Sequence, residues 1–148
     1  MRFPKFIVVG LALLSLSFAQ ADDAAKKEFE KLQGTWVVVE ATQDGQALER
    51  INGGKFIIKD VNFTIKTVSN FELKGDLQLD PSQKPKHISY SHQEGLLRDK
   101  TWQGIYELNG DELKICYAEA DSNKERPKEF KTEKDSGHLY LMLKREKK

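Results

Sequence analysis

The chain has 148 residues, with 24 Lys and Arg against 23 Asp and Glu, for a formal net charge of +1. Hydrophobic residues make up 39% and charged residues 32%. That length fits one domain, the near-neutral balance excludes a strongly basic nucleic-acid binder, and a single Cys excludes a disulfide-stapled miniprotein.

Residues 1–21 read as a leader rather than as part of the fold. Arg2 and Lys5 supply a positive start, Phe6 to Phe18 is apolar, and Ala19-Gln20-Ala21 forms a small-x-small cleavage signal. The apolar run falls short of the roughly 20 residues a bilayer core demands, which argues against an uncleaved anchor. Cleavage after Ala21 removes two cations and no acid, so residues 22–148 carry 22 basic against 23 acidic groups, a charge of −1. The expected destination is the periplasm or the extracellular space, as a monomer with no membrane span. Cys116 has no Cys to pair with, so an exported fold must hold through burial alone, with Cys116 as a small buried hydrophobe.

Asp22 to Gln33 predicts one short helix. Asp22 and Asp23 favour its positive end, Ala24 to Glu28 are good helix formers, Phe29 and Leu32 share a face, and Gly34 stops it. From Trp36 onward the apolar period becomes two. Strands are expected over 36–41, 55–60, 62–67, 71–79 with a break at Lys74-Gly75-Asp76, 86–90, 101–108, 112–118, 128–132 and 138–145. Turn chemistry separates them: Asp44-Gly45, Asn52-Gly53-Gly54, Asp80-Pro81, Asn109-Gly110 and Ser136-Gly137. About eight to ten short strands without helix alternation predict a mainly β, antiparallel sandwich or barrel and exclude a parallel nucleotide-binding fold.

The Asn109-Gly110 turn fixes one hairpin. Trp102, Gly104, Tyr106 and Leu108 share a face before it, and Leu113, Ile115 and Tyr117 share one after it. Pairing Leu108 with Leu113 sets Glu107 against Lys114 and avoids opposing Glu107 to Glu112, so that register is preferred. On the last strand Leu139, Leu141 and Leu143 alternate inward, and Arg145 ends that face. Such an Arg caps an apolar face by stacking on an aromatic, here Trp36 of the first strand. That contact requires the first and last strands to be neighbours.

Gly34-Thr35-Trp36 after a short helix, together with the late Arg145, resembles the signature of lipocalin-type barrels, in which a Gly-x-Trp tryptophan plugs the floor beneath an Arg. A longer set of matches covers nearly all of residues 22–148: Leu32 to Trp36, Asp44-Gly45, Leu79-Asp80-Pro81, Lys84-Pro85-Lys86, Gly104 to Leu108, Gly110-Asp111, Leu113 to Cys116, Arg126-Pro127, Glu129-Phe130 and Leu143 to Arg145. On these pieces the chain resembles a family of secreted, lipocalin-like domains of planctomycete bacteria. The resemblance implies a small antiparallel β-barrel, closed at Gly34, Trp36 and Arg145, and export. It brings no catalytic residues, and Asp60–Gly75 falls outside its pattern.

The candidate chemistry is sparse. His87, His92 and His138 lack metal-ligand spacing, so no metal or other cofactor is expected and the histidines read as solvated or packing groups. Gly-x-Ser-x-Gly is absent, and Asn52-Gly53-Gly54-Lys55 precedes a strand rather than a helix, which makes it a turn and not a phosphate loop. Glu40 shares strand parity with Trp36 and Val38, so it could point into the barrel above the Trp floor and bind a ligand's polar end; the alternative, which is favoured, is a strand-end Glu in solvent. Trp102, Tyr106 and Tyr117 would line the same interior. The mature charge opposes a nucleic-acid platform for these aromatics. The resulting expectation is a non-enzymatic, exported binding module for a small apolar molecule. One alternative is an interaction domain with a barrel filled by Trp36, Phe56, Phe71, Trp102 and Tyr106. Another is a hydrolase working through Glu40 or the histidines. A cavity of roughly 300 Å³ or more separates the first from the second.

Overall fold

The computed structural model describes residues 12–120 and 122–147, with side chains from Asp22 onward. Helix α1 spans Ala12–Leu32. Nine strands follow: β1 Gly34–Gln43, β2 Gln46–Ala47, β3 Lys55–Lys59, β4 Asn62–Lys66, β5 Glu72–Asp80, β6 Lys86–His92, β7 Thr101–Asn109, β8 Glu112–Ala118 and β9 His138–Arg145.

All strand pairings are antiparallel: β1 pairs with β3, β3 to β9 pair in chain order, and β1 also pairs with β9, which closes an eight-strand barrel of β1 and β3 to β9. The two-residue β2 forms only a short arm on the end of β1. Closure removes free sheet edges. It also explains why Lys128–Thr132 is not a strand, contrary to its alternating pattern. With no edge left to pair, that segment lies in the β8–β9 connection and straps the outside of the wall. Phe130 and Met142 cover an outer apolar patch of Ile105, Cys116 and Tyr140. Arg126 secures the strap by donating to the Ile88 carbonyl at 2.9 Å, to the Gly104 carbonyl and to Ser89 Oγ at 3.1 Å. Cys116 is fully buried beneath it, and burial raises its thiol pKa to about 11. A thiol held protonated in this way is a packing group, as the sequence implied.

Alternation on the strands builds the interior. Trp36 and Val38 on β1, Phe56 and Ile58 on β3, Ile88 and Tyr90 on β6, and Leu113 and Ile115 on β8 are all buried in one core. The β7–β8 hairpin has the register chosen by charge, with Leu108 opposite Leu113 and Glu107 opposite Lys114. β5 runs without the expected break. Gly75 stays in the ladder because a Cβ there would lie 1.9 Å from the Ser91 carbonyl oxygen and 2.8 Å from the Phe63 ring. The glycine permits that close approach and does not mark a turn.

Helix α1 begins well before Asp22. No Gly or Pro interrupts residues 12–32, so helix-forming residues carry it through. Asp22 and Asp23 therefore lie within the helix, and its first turn contains no acidic residue. The leader reading concerns residues 1–21, of which 1–11 lie outside the described residues and 12–21 are described by backbone alone. The C-terminal half of the helix closes one end of the barrel: Leu32 is fully buried in the core and Phe29 packs against it.

Candidate functional site

The closed end is built around Trp36. Its indole N–H donates to the Leu32 carbonyl at 2.9 Å. The Arg145 guanidinium lies over its ring, and β1–β9 register sets the two residues opposite one another. Gly34, with φ of +121°, makes the sharp entry from helix to strand and leaves room for Arg145 beside it. Gly34, Trp36 and Arg145 thus meet at one place, and Trp36 is a floor residue fully withdrawn from solvent.

Tyr106 also serves the closed end. Its hydroxyl donates to Glu28 of α1 at 2.9 Å, and the same carboxylate accepts from Lys86 at 3.0 Å and Lys31 at 3.1 Å. Desolvation pushes the Glu28 pKa up, but these three donors outweigh it and hold the carboxyl below its ordinary value. Burial and the carboxylate together push the Tyr106 pKa well up. This buried ionic knot, which no local sequence pattern carries, ties the helix to β6 and β7.

Above the floor lies a cavity of about 380 Å³ that extends to the rim. Its two walls differ. On one side stand Val38, Phe56, Ile65, Leu139 and Leu141 from β1, β3, β4 and β9. On the other stand Tyr90, His92, Trp102 and Tyr117 from β6, β7 and β8. The β1–β3 connection folds over the mouth, held by Leu48 N–H donating to the Ala41 carbonyl at 2.8 Å and Gly53 N–H donating to the Val38 carbonyl at 2.8 Å. It places Leu48 and Ile51 against the cavity, with exposed Arg50 at the rim.

The aromatic wall is closely interlocked. Tyr90 and Trp102 stack at 5.7 Å, and Tyr117 meets them edge-on at 5.2 and 5.1 Å. Desolvation raises the Tyr117 pKa to about 12 and the Tyr90 pKa well above the usual phenol value. Both phenols are therefore neutral hydrogen-bonding groups. His92 is only 2% exposed, and burial lowers its pKa, so its imidazole is neutral near pH 7. Neither ring nitrogen of His92, nor the indole N–H of Trp102, has a hydrogen-bond partner among the described residues.

The expected interior set is therefore divided. Trp102 and Tyr117 line the cavity, whereas Trp36 and Tyr106 are buried at the closed end outside its lining. Glu40 is not inside the barrel. A β-bulge between Val38 and Glu40 inserts one extra residue opposite β9, which reverses strand parity and turns Glu40 to the exposed face. Ala41 and Gln43 take the inward positions instead. Phe71 is likewise no plug; it sits on the β4–β5 connection and is 59% exposed. His92 falls outside the expected strand 86–90 and enters the interior because β6 continues to His92. The Ile88-x-Tyr90-x-His92 alternation carries the strand two residues further, inward at each step.

The three histidines do not gather. His87 lies on the outward face of β6, His138 contacts the Glu125 carbonyl at 3.1 Å, and His92 is inside. Among the described residues, no three His, Cys, Asp or Glu side chains cluster to hold a metal. No described helix is long and apolar enough to cross a membrane. Comparison with family models, curated proteins and solved structures finds no match to the chain.

Proposed function

We propose that this protein is an exported, non-enzymatic binding module that takes one small apolar molecule into its barrel. The observation that carries this reading is the cavity of about 380 Å³, walled by aliphatic and aromatic side chains and reaching the rim. Ligand pockets in proteins span roughly 300–1,000 Å³ and place a few polar groups in an apolar lining. The resemblance of residues 22–148 to exported lipocalin-like domains supports the same reading, and the leader-like residues 1–21 support export. A barrel filled by its own side chains is less well supported, since Phe71 lies outside and Trp36 and Tyr106 leave the upper interior open.

The test is a fluorescence titration with N-phenyl-1-naphthylamine, a neutral apolar probe that brightens when it leaves water. Saturable binding at one site per chain is expected. Leu141→Trp, which puts an indole into the cavity from the aliphatic wall, should weaken it at least tenfold. No saturable binding to the folded wild type, or equal binding to Leu141→Trp, would overturn the reading.

A further inference from the structure

Resting on that cavity reading, we propose that the ligand is a neutral apolar molecule bearing one hydrogen-bond-accepting oxygen, such as a ketone, which is held by the His92 imidazole and the Trp102 indole N–H. The argument begins with satisfaction of polar groups. Buried donors in native proteins are nearly always paired, and each exception needs a reason. Here two side chains on the same wall are exceptions, and both line the cavity. Their ring centroids lie 5.7 Å apart at an interplanar angle of 66°, so the two groups are neighbours on that wall.

What surrounds them gives no protein partner. His92 meets the edges and faces of Phe63 at 5.5 Å and Tyr90 at 6.0 Å. Neighbouring rings cover the three nitrogens, so contact with a ligand requires a turn of the imidazole or indole about its side-chain bonds. The neutral imidazole then offers one N–H, and the indole offers another. A carbonyl oxygen has two lone pairs and can accept from both N–H groups once the rings have turned toward it.

The charge along the aromatic wall disfavours a carboxylate. The cations along the cavity, Arg50, Lys55 and Lys66, come from the β1–β3 connection and from β3 and β4. Two of them are engaged, Lys55 with Glu146 at 2.7 Å and Lys66 with Glu72 at 3.2 Å. The aromatic wall contributes no Lys or Arg to the lining, and Glu119 continues it with a negative charge. An anion held against that wall would be desolvated with no cation on the wall itself, which is expensive.

Three probes with one ring system test the idea by displacement of N-phenyl-1-naphthylamine at pH 7.5: 2-acetylnaphthalene, its alkene isostere 2-isopropenylnaphthalene, and 2-naphthoate. Wild-type protein should bind the ketone best and the carboxylate weakest. The ratio of alkene Kd to ketone Kd should fall by about tenfold in His92→Phe, and comparably in Trp102→Phe, as for loss of one buried hydrogen bond. Both variants keep an aromatic ring, and two sites allow for one failing to fold. An imidazole ¹⁵N shift of His92 on adding the ketone, absent with the alkene, is the independent spectroscopic sign. If the alkene binds as tightly as the ketone and the ratio is unchanged in both variants, or if 2-naphthoate binds tightest, the proposal falls while the cavity reading stands. If neither the fluorescent probe nor the ketone, measured directly by calorimetry, binds at all, both fall.

Discussion

The Arg145 guanidinium sits 4.2 Å from the centroid of the Trp36 ring, and this contact joins the first strand of the barrel to the last. Arg145 also donates to the Gln33 carbonyl at 2.6 Å, the Lys31 carbonyl at 2.8 Å and Asp111 at 3.2 Å. Its two carbonyl partners are at the C-terminal end of α1, where helix carbonyls lack intrahelical donors and a cation is favoured. One side chain therefore closes the sheet, caps the helix and covers the floor tryptophan.

Truncating that floor should be costly. Trp36→Ala removes a fully buried indole and the hydrogen bond to Leu32, so a loss of about 3–5 kcal/mol is expected in urea unfolding. Arg145→Lys keeps the charge but loses the planar stack and the fork of donors, and should cost about 1–2 kcal/mol. A cost below 1 kcal/mol for Trp36→Ala would mean that the indole is not the plug of the closed end.

Gly75 gives the sharpest packing test. The Cβ of Gly75→Ala would fall 1.9 Å from the Ser91 carbonyl oxygen, which belongs to the neighbouring strand and cannot swing aside. The ladder between β5 and β6 must shift, at a cost of about 2–3 kcal/mol or more. Gly110→Ala, where nothing lies within 4 Å, serves as the control for added side-chain bulk and costs only its strained φ of +63°. Equal thermal shifts for the two variants would remove the close-approach argument.

Much of the barrel was readable because its signals are local. The β8 and β9 limits, and the pairing of Leu108 with Leu113, follow from alternation, one tight turn and one charge match. Closure was readable too, because an Arg ending an apolar face needs an aromatic neighbour, and Trp36 was the available one. The site was less legible. The bulge beside Val39 adds a residue without any compositional mark, yet it reverses the facing of the rest of β1, so strand parity alone points Glu40 the wrong way. His92 belongs to the interior only if β6 runs past Tyr90, and residues 91–95 (Ser-His-Gln-Glu-Gly) carry no apolar alternation that would extend the strand. The knot at Glu28 depends on residues 58 and 78 positions away in the chain, a tertiary arrangement no local pattern carries.

Glu40 offers a direct check of the bulge. Its side chain is exposed and outside the cavity lining, so Glu40→Gln should change stability by less than about 0.5 kcal/mol, as for an ordinary surface position. Probe affinity should be unchanged. A tenfold change in affinity for N-phenyl-1-naphthylamine in Glu40→Gln would place the carboxylate inside after all.

The Glu28 knot predicts a pH dependence with a definite sign. Desolvation favours the protonated form, but donation from Lys86, Lys31 and Tyr106 favours the carboxylate more, so the folded-state pKa lies below the ordinary 4.5. A depressed pKa means that the unfolded chain binds the proton more readily than the fold does. The contribution is therefore present above about pH 5, declines as pH falls through 4.5, and is lost below the folded-state value. Glu28→Gln keeps an acceptor for the Tyr106 hydroxyl but removes the charge that faces Lys86. It should destabilise the protein by about 1–2 kcal/mol at pH 7, the size of a charge-assisted hydrogen bond. The gap between wild type and variant, followed by thermal unfolding from pH 7 to pH 3, should narrow across the acid range. A gap that is constant with pH would show that Glu28 acts through packing alone, and one that widens in acid would reverse the assigned direction of its shift.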